Sequence, residues 1–304
     1  MSEPLVWLPF EPSLLGDVPA GLRYEVVDPT VEVPDSVADV QFYVPPYVMG
    51  PAVGDVLDTM PSLQVLQMLS AGVDNVRSRV PAGVTLCNGR GIHDTSTAEL
   101  TLALILASLR DVPGFVRDQD AGRWRTRWRP ALADKRVLLV GYGAIGQAIE
   151  SRLLAFETEV VRVARTARDG VHALDELPDL LPTADVVVLI VPLTDETRGL
   201  VDAAFLARMR ERALLVNMAR GAVVVTDDLI AALQAGRVRA ALDVVDVEPL
   251  PEDSPLWSTP GLLISPHVGG ASSAMWPRAY RLVREQLTRF AAGEPLWNVM
   301  SGEY

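Results

Sequence analysis

Three glycines in six residues, Gly141-Tyr142-Gly143-Ala144-Ile145-Gly146, constrain this 304-residue chain more than any other feature. The run before them, RVLLV, reads as a buried strand, and the stretch after them, Ala144 to Ala155, reads as a helix. A GxGxxG spacing in that strand-to-helix setting is what a dinucleotide site needs. Gly141 permits the tight turn, Gly143 lets the backbone approach a pyrophosphate, and Gly146 lets helix and strand pack closely. The positive end of the helix then faces the anion.

The surrounding pattern extends the same architecture. After the glycine turn come EVVRVAR, ADVVVLIVP, ALLVNMA, RAALDVV and LLISPH, each a near-continuous apolar run of the kind found in parallel strands buried on both faces. The first hundred residues hold four more candidate strands, LVWLPF, YEVVD, VQFYVP and LQVLQML, punctuated by prolines such as Pro45 and Pro46. A long helix is expected from Thr97 to Arg110, with Thr95 or Ser96 as its N-cap and Glu99 as the capping-box acid. A second follows the last strand, from about Ser273 to Ala292. The expected fold class is α/β: two Rossmann-like, doubly wound parallel-sheet domains with an active-site cleft between them. Residues 100–273 form the dinucleotide-binding domain. Residues 1–99 plus 274–304 form a discontinuous substrate-binding lid, with the two long helices as crossovers.

The strand after the glycine turn addresses which dinucleotide is bound. NAD-binding units place an acid at its end, about 20 residues on, to hold the ribose 2′-hydroxyl. Here that position falls at about Ala164, followed by Arg165, Thr166 and Arg168. Alanine does not repel a 2′-phosphate, and the residues after it can bind one through charge-assisted hydrogen bonds. NADP(H) is the preferred cofactor on this reading, with NAD(H) possible.

Three further stretches fall at the carboxyl ends of expected strands, the edge where open α/β sheets bind ligands. They are NMARG (217–221), DVVDVEP (243–249) and SPHVGG (265–270). They supply Arg220, Glu248 and His267. Reduction of a 2-oxo acid needs a hydride at carbon, a proton at oxygen and a cation to hold the carboxylate. Arg220 can grip a carboxylate with its planar fork. His267 is a proton donor suited to neutral pH. Glu248 can bind the imidazole, select its tautomer and raise its pKa. Of the other histidines, His93 follows a Gly-rich turn and is a candidate lining residue, whereas His172 reads as part of an exposed, polar, helix-like stretch.

With these motifs, and with VPLTDETRGL at 191–200, the chain resembles the D-isomer-specific 2-hydroxyacid dehydrogenase family over nearly its full length. The resemblance implies that Arg220, Glu248 and His267 are the catalytic set. It implies that Asp243 holds the nicotinamide carboxamide and that Val191, Pro192, Met218, Ala219, His267 and Gly269 surround the cofactor. SAGVD (70–74) resembles the family's substrate loop, so Ser70, Ala71 and Gly72, with Arg220 and His267, would bind the substrate carboxylate. Thr97-Ala98-Glu99 matches the start of the family's hinge helix. Family members pair as homodimers, and the segment from Arg123 to Arg129 falls where such pairing occurs. The missing strand-end acid points to the NADP-using branch, which includes glyoxylate and hydroxypyruvate reductases. Trp276 either reaches the substrate pocket or packs the last helix. The loops around Tyr43 to Met49 and Leu69 to Gly72 are expected to shape that pocket.

Composition narrows the alternatives. A net charge of −12 disfavours nucleic-acid partners. One cysteine, Cys87, excludes an internal disulfide and a paired-cysteine zinc site, and its apolar context reads as core. No metal is expected. No signal sequence or membrane span is expected either, which makes the cytoplasm the default location. The Trp-Arg segment reads as a surface excursion that packs its tryptophans on a neighbour. A formate- or phosphite-oxidising enzyme, and a nucleotide-sensing corepressor on the same scaffold, are the competing readings. The first is disfavoured by the short N-terminal segment, the second by the lack of an added docking tail.

Overall fold

A computed structural model describes residues 3–47 and 52–301, so Val48 and Met49 of the expected pocket loop lie outside the described residues. The chain divides into two compact units, Met1–His93 with Ser273–Tyr304, and Asp94–Ser272. Both are parallel α/β structures, as the apolar runs predict.

The first unit is built on β1 (Leu5–Leu8), β2 (Arg23–Val26), β3 (Val40–Tyr43), β4 (Val65–Gln67) and β5 (Thr85–Cys87), with a short helix α1 (Val53–Leu57). Its strand order is β2-β1-β3-β4-β5, all parallel. Alternation along β1 sends Leu5 and Trp7 into one apolar cluster and Val6 and Leu8 into another, so both sheet faces are covered.

The second unit begins with two helices, α2 (Asp94–Arg110) and α3 (Val112–Asp120). Its strands are β6 (Arg136–Val140), β7 (Glu159–Ala164), β8 (His172–Ala173), β9 (Val186–Leu189), β10 (Leu214–Asn217), β11 (Arg239–Leu242) and β12 (Leu262–Ile264). Helices α4 (Ala144–Leu153), α5 (Leu177–Leu180), α6 (Ala203–Arg208) and α7 (Thr226–Gln234) connect them. The order β12-β11-β10-β9-β6-β7-β8 reverses direction between β6 and β9, a topological switch point of the Rossmann type. Leu138 and Val140 enter the core on one face, Val137 and Leu139 that on the other.

The last helix, α8 (Met275–Ala292), belongs to the first unit. It lays Met275, Ala279, Leu282, Val283 and Leu287 on the β1–β3 face, a helical repeat of apolar positions. Cys87, fully buried in the same cluster, is a core residue, and burial pushes its thiol up to about 11. Among the described residues no helix is long and apolar enough to cross a membrane.

Several local expectations need correction. Helix α2 starts at Asp94, so Thr95 and Ser96 lie inside its first turn; the Ser96 hydroxyl is 2.6 Å from that of Ser272 instead of capping the helix. Helix α3 was hidden by Pro113 and Gly114, but proline is tolerated in a first helical turn, and a Cβ on Gly114 would meet the Asp111 carboxylate. His172 is in β8, partly buried, with Nδ1 2.7 Å from Glu176. Trp124 and Trp128 are 96% and 98% exposed.

A buried amide network ties α8 to the first sheet. Gln286, fully buried, donates to Gln67 Oε1 at 2.7 Å and to the Trp297 carbonyl at 2.9 Å, and accepts from the Trp297 N–H at 2.8 Å. Replacing it with leucine, Gln286→Leu, leaves these partners unsatisfied. Urea unfolding should show a loss of about 3 kcal/mol; a loss below about 0.5 kcal/mol would show that the network does not hold the helix.

Candidate active site

The site is assembled at the carboxyl edge of the second sheet. β10, β11 and β12 are neighbours in parallel register, with Leu242 opposite both Asn217 and Ile264. The segments that follow them therefore emerge side by side. Arg220 follows β10, Asp243 to Glu248 follow β11, and His267 follows β12.

Each side chain has a local reason for its place. Asn217, buried at the end of β10, accepts from the Ala219 N–H and donates to the Arg220 carbonyl, both at 3.0 Å. This folds the turn that presents Arg220, whose Nη1 donates to the Ala219 carbonyl at 2.8 Å. At Gly221 a Cβ would lie 2.0 Å from the Val245 carbonyl carbon. Only glycine lets the Arg220 turn approach the next loop that closely.

His267 has a left-handed backbone, φ 52°, uncommon for a residue with a side chain. Asp243 supports that conformation. Its carbonyl accepts from the His267 N–H at 2.7 Å. Its carboxylate, 3% exposed, accepts from Ser265 Oγ at 2.6 Å, Val268 N–H at 3.0 Å and Gly269 N–H at 2.8 Å. Glu248 Oε2 lies 2.6 Å from His267 Nδ1. A carboxylate there keeps the proton on Nδ1 of a neutral ring and leaves Nε2 as the nitrogen available to a substrate.

The glycine turn fits a dinucleotide pyrophosphate. Gly141, φ 105°, is pressed against Ile190, where a Cβ would stand 2.4 Å from the carbonyl oxygen. A Cβ on Gly143 would meet nothing within 4 Å, so the face of the turn is open. Gly143 is the N-cap of α4 and supplies no side-chain cap, which leaves the first N–H groups of that helix for a ligand. Tyr142, Ala144 and Ile145 are partly buried around the turn, and Gly146 is buried, with Gly141 O 2.6 Å from the position of a Cβ.

The other expected cofactor positions follow. Val191, Met218 and Ala219 are buried and Pro192 is exposed. Thr197 shapes the 192–197 loop by donating to the Pro192 carbonyl at 2.6 Å. β7 ends at Ala164, leaving Arg165, Thr166 and Arg168 exposed after it. Arg168 Nη2 donates to the Tyr142 carbonyl at 2.7 Å.

The remaining positions belong to the first unit. Ser70 Oγ donates to the Gly72 carbonyl at 2.8 Å, and Asn88 holds the Ala71 carbonyl at 3.0 Å. His93 is buried, with Nε2 2.9 Å from the Leu69 carbonyl. Trp276 stacks on Tyr280, with centroids 5.7 Å apart, and meets Phe10 edge-on at 6.2 Å.

Asn217, Gly221, Ser265 and Thr197 lie in the motifs quoted above, but the sequence assigned them no role. Asn217 carried a signal, a polar residue closing an otherwise apolar strand. The other three carried only their place in those motifs, because what they meet, the Val245 backbone, the Asp243 carboxylate and the Pro192 carbonyl, is brought to them by the fold. The Asp243 network gives a direct test. Asp243→Asn keeps the shape but places an amide N–H against one of the donors. It should lower stability by about 2 kcal/mol. Turnover should also fall, because the loop carrying His267 loosens. Unchanged melting and unchanged kcat would show that the carboxylate does not hold that loop.

Comparison with known proteins places this geometry. Residues 102–269 match the family model for the D-isomer specific 2-hydroxyacid dehydrogenase, NAD binding domain. The chain is 33% identical to a D-3-phosphoglycerate dehydrogenase of Methanocaldococcus jannaschii over 81% of its own length, spanning about half (49%) of that protein. It is 33% identical to a glyoxylate reductase of Aeropyrum pernix over 82% of this chain and 79% of that one. A D-isomer specific 2-hydroxyacid dehydrogenase from Xanthobacter autotrophicus Py2, solved in complex with NADPH and MES, superposes with a TM-score of 0.82 at 32% identity, covering 99% and 98% of the two chains. The chain belongs to the D-isomer specific 2-hydroxyacid dehydrogenase family, and its second unit carries that family's NAD-binding domain.

Proposed function

We propose that the protein reduces a small 2-oxo acid, such as glyoxylate or hydroxypyruvate, to the 2-hydroxy acid with NADPH. The observation that carries this reading is the 2.6 Å His267–Glu248 pair, one strand away from Arg220 and on the same sheet edge as the open glycine turn. When bound, the nicotinamide supplies or accepts the hydride. The rest is the work of side chains. Arg220 holds the substrate carboxylate and polarises the adjacent carbonyl. His267 Nε2 gives its proton to the carbonyl oxygen, and Glu248 stabilises the imidazolium and fixes its orientation. The backbone N–H groups at Ala71 and Gly72 are candidates to bind the carboxylate, and Trp276 is a candidate limit on side-chain size. NADPH is supported by the absence of an acid at Ala164 and by Arg165, Thr166 and Arg168 beyond it. The NADPH complex of the Xanthobacter protein adds to that support.

A panel of 2-oxo acids, run with both cofactors and followed by loss of reduced nicotinamide, tests the reading. Turnover with at least one acid and a kcat/KM at least about tenfold higher with NADPH are expected. No turnover despite tight NADPH binding would favour a nucleotide sensor. His267→Ala should lower kcat by roughly 10²–10⁴ while nucleotide binding survives. Arg220→Ala should raise KM as well; normal activity in either variant would remove its assigned role.

The protein also pairs with a second copy on this reading. Trp124 and Trp128 and the exposed Val112, Phe115 and Val116 of α3 give the second unit an uncovered apolar surface. A cavity of about 650 Å³, bounded by Trp128, Arg129, Lys135, Asp185, Arg212 and Arg239, opens beside it at the amino edge of the sheet, away from His267. Light scattering should give a dimer for the native chain and a monomer for the double variant Trp124→Ser/Trp128→Ser. A native monomer at micromolar concentration would sink the pairing.

A further inference from the structure

We infer that Glu150, acting through Arg162 and Tyr142, is a positioning residue that sets the 165–171 loop for a nucleotide 2′-phosphate; the inference rests on the NADP(H) reading above. Glu150 lies on α4 and is 6% exposed, an unusual place for a carboxylate. It has two partners. The Tyr142 hydroxyl donates to Oε2. Arg162, on β7, contacts Oε1 with Nε at 2.6 Å and Nη2 at 2.5 Å.

Both partners lead to the loop after β7. Arg162 Nη1 donates to the Gly170 carbonyl at 3.3 Å. The Tyr142 carbonyl accepts from Arg168 Nη2 at 2.7 Å, and the guanidinium carbons of Arg162 and Arg168 lie 5.5 and 5.8 Å from the Tyr142 ring centre. Arg168 and Val171 close the turn with reciprocal backbone bonds of 3.0 and 2.8 Å. The loop is thus tied at Gly170 by one arginine and at the glycine turn by the other, and both ties lead back to Glu150.

This divides the three arginines by role. Arg162 is neutralised by Glu150, and its Nε, Nη1 and Nη2 are all engaged within the protein. Among the described residues Arg165 and Arg168 have no carboxylate partner, so their charge is available to an anion. The pair is only half-buried, because the Arg162 side chain is partly exposed, and such a pair adds little net stability. Its effect here is directional: it fixes where the Tyr142 and Gly170 carbonyls point, and through them the reach of Arg168.

The experiment is calorimetric titration of the intact protein with adenosine 2′,5′-bisphosphate and with AMP, which differ only in the 2′-phosphate. The native chain should prefer the bisphosphate by about tenfold or more. Glu150→Gln should cut that preference at least about fivefold, with AMP affinity within about twofold of native. Tyr142→Phe, which removes only the hydroxyl, should act in the same direction and keeps the test alive where Glu150→Gln does not fold. If Arg162 were the phosphate ligand, freeing it from Glu150 would raise the preference, and that result overturns the inference. So does an unchanged preference, or an equal loss for both nucleotides, which would mark a purely structural role. A native chain without the preference removes the NADP(H) reading itself, an outcome distinct from a native preference that survives both substitutions.

Discussion

Parallel pairing of β10, β11 and β12 governs the candidate site. Parallel neighbours require a crossover between them, so every segment leaving a strand at its carboxyl end emerges on the same edge. Arg220, Glu248 and His267 come from three separate segments that emerge at this edge, where Glu248 and His267 meet. The register does the alignment, and the short loops have only to aim the side chains. The backbone carries that second task through Asn217, Asp243 and Gly221. Asn217 folds its own loop, while Gly221 presses that loop on the next and Asp243 ties its own to the loop carrying His267, so the three loops form one connected layer.

Of the buried carboxylates described in the second unit, Asp243 and Glu150 work in different ways. Asp243 binds neutral donors, two backbone N–H groups and a hydroxyl, and so stiffens a loop that holds His267 in an uncommon conformation. Glu150 binds a cation and a phenol. The bond to Glu150 raises the Arg162 pKa, while burial and the nearby carboxylate push that of Tyr142 up. One carboxylate shapes the chain next to the proposed chemistry, and the other shapes the chain next to the proposed cofactor tail. Neither needs to touch a ligand to matter.

How much of this was legible in the sequence depended on the length scale of the signal. The glycine turn and the strands of the second sheet are local patterns, and apolar runs such as ADVVVLIVP mark buried parallel strands directly. The nucleotide-binding helix was equally plain. Helix α3 was not, because Pro113-Gly114 reads as a break unless the helix is known to start at Val112. The N-cap expectation failed because Thr95 and Ser96 look like capping residues wherever a helix begins near them, and the Ser96 hydroxyl had a partner 176 residues away. Glu150 is the same problem in another form. On a helix it reads as a solvated acid, and only the β6–β7 pairing brings Arg162 beneath it.

The single cysteine has a practical side. Cys87 sits in the fully buried end of β5, and its thiol is held too basic to form thiolate at neutral pH. Thiolate is the form that attacks alkylating reagents and disulfides. In the folded state the chain therefore behaves as though it had no cysteine. Disulfide-forming conditions leave Cys87 unmodified, and a thiol introduced at any surface position would be the one site a thiol label finds. Conversely, reaction at Cys87 itself would report that the first sheet had opened.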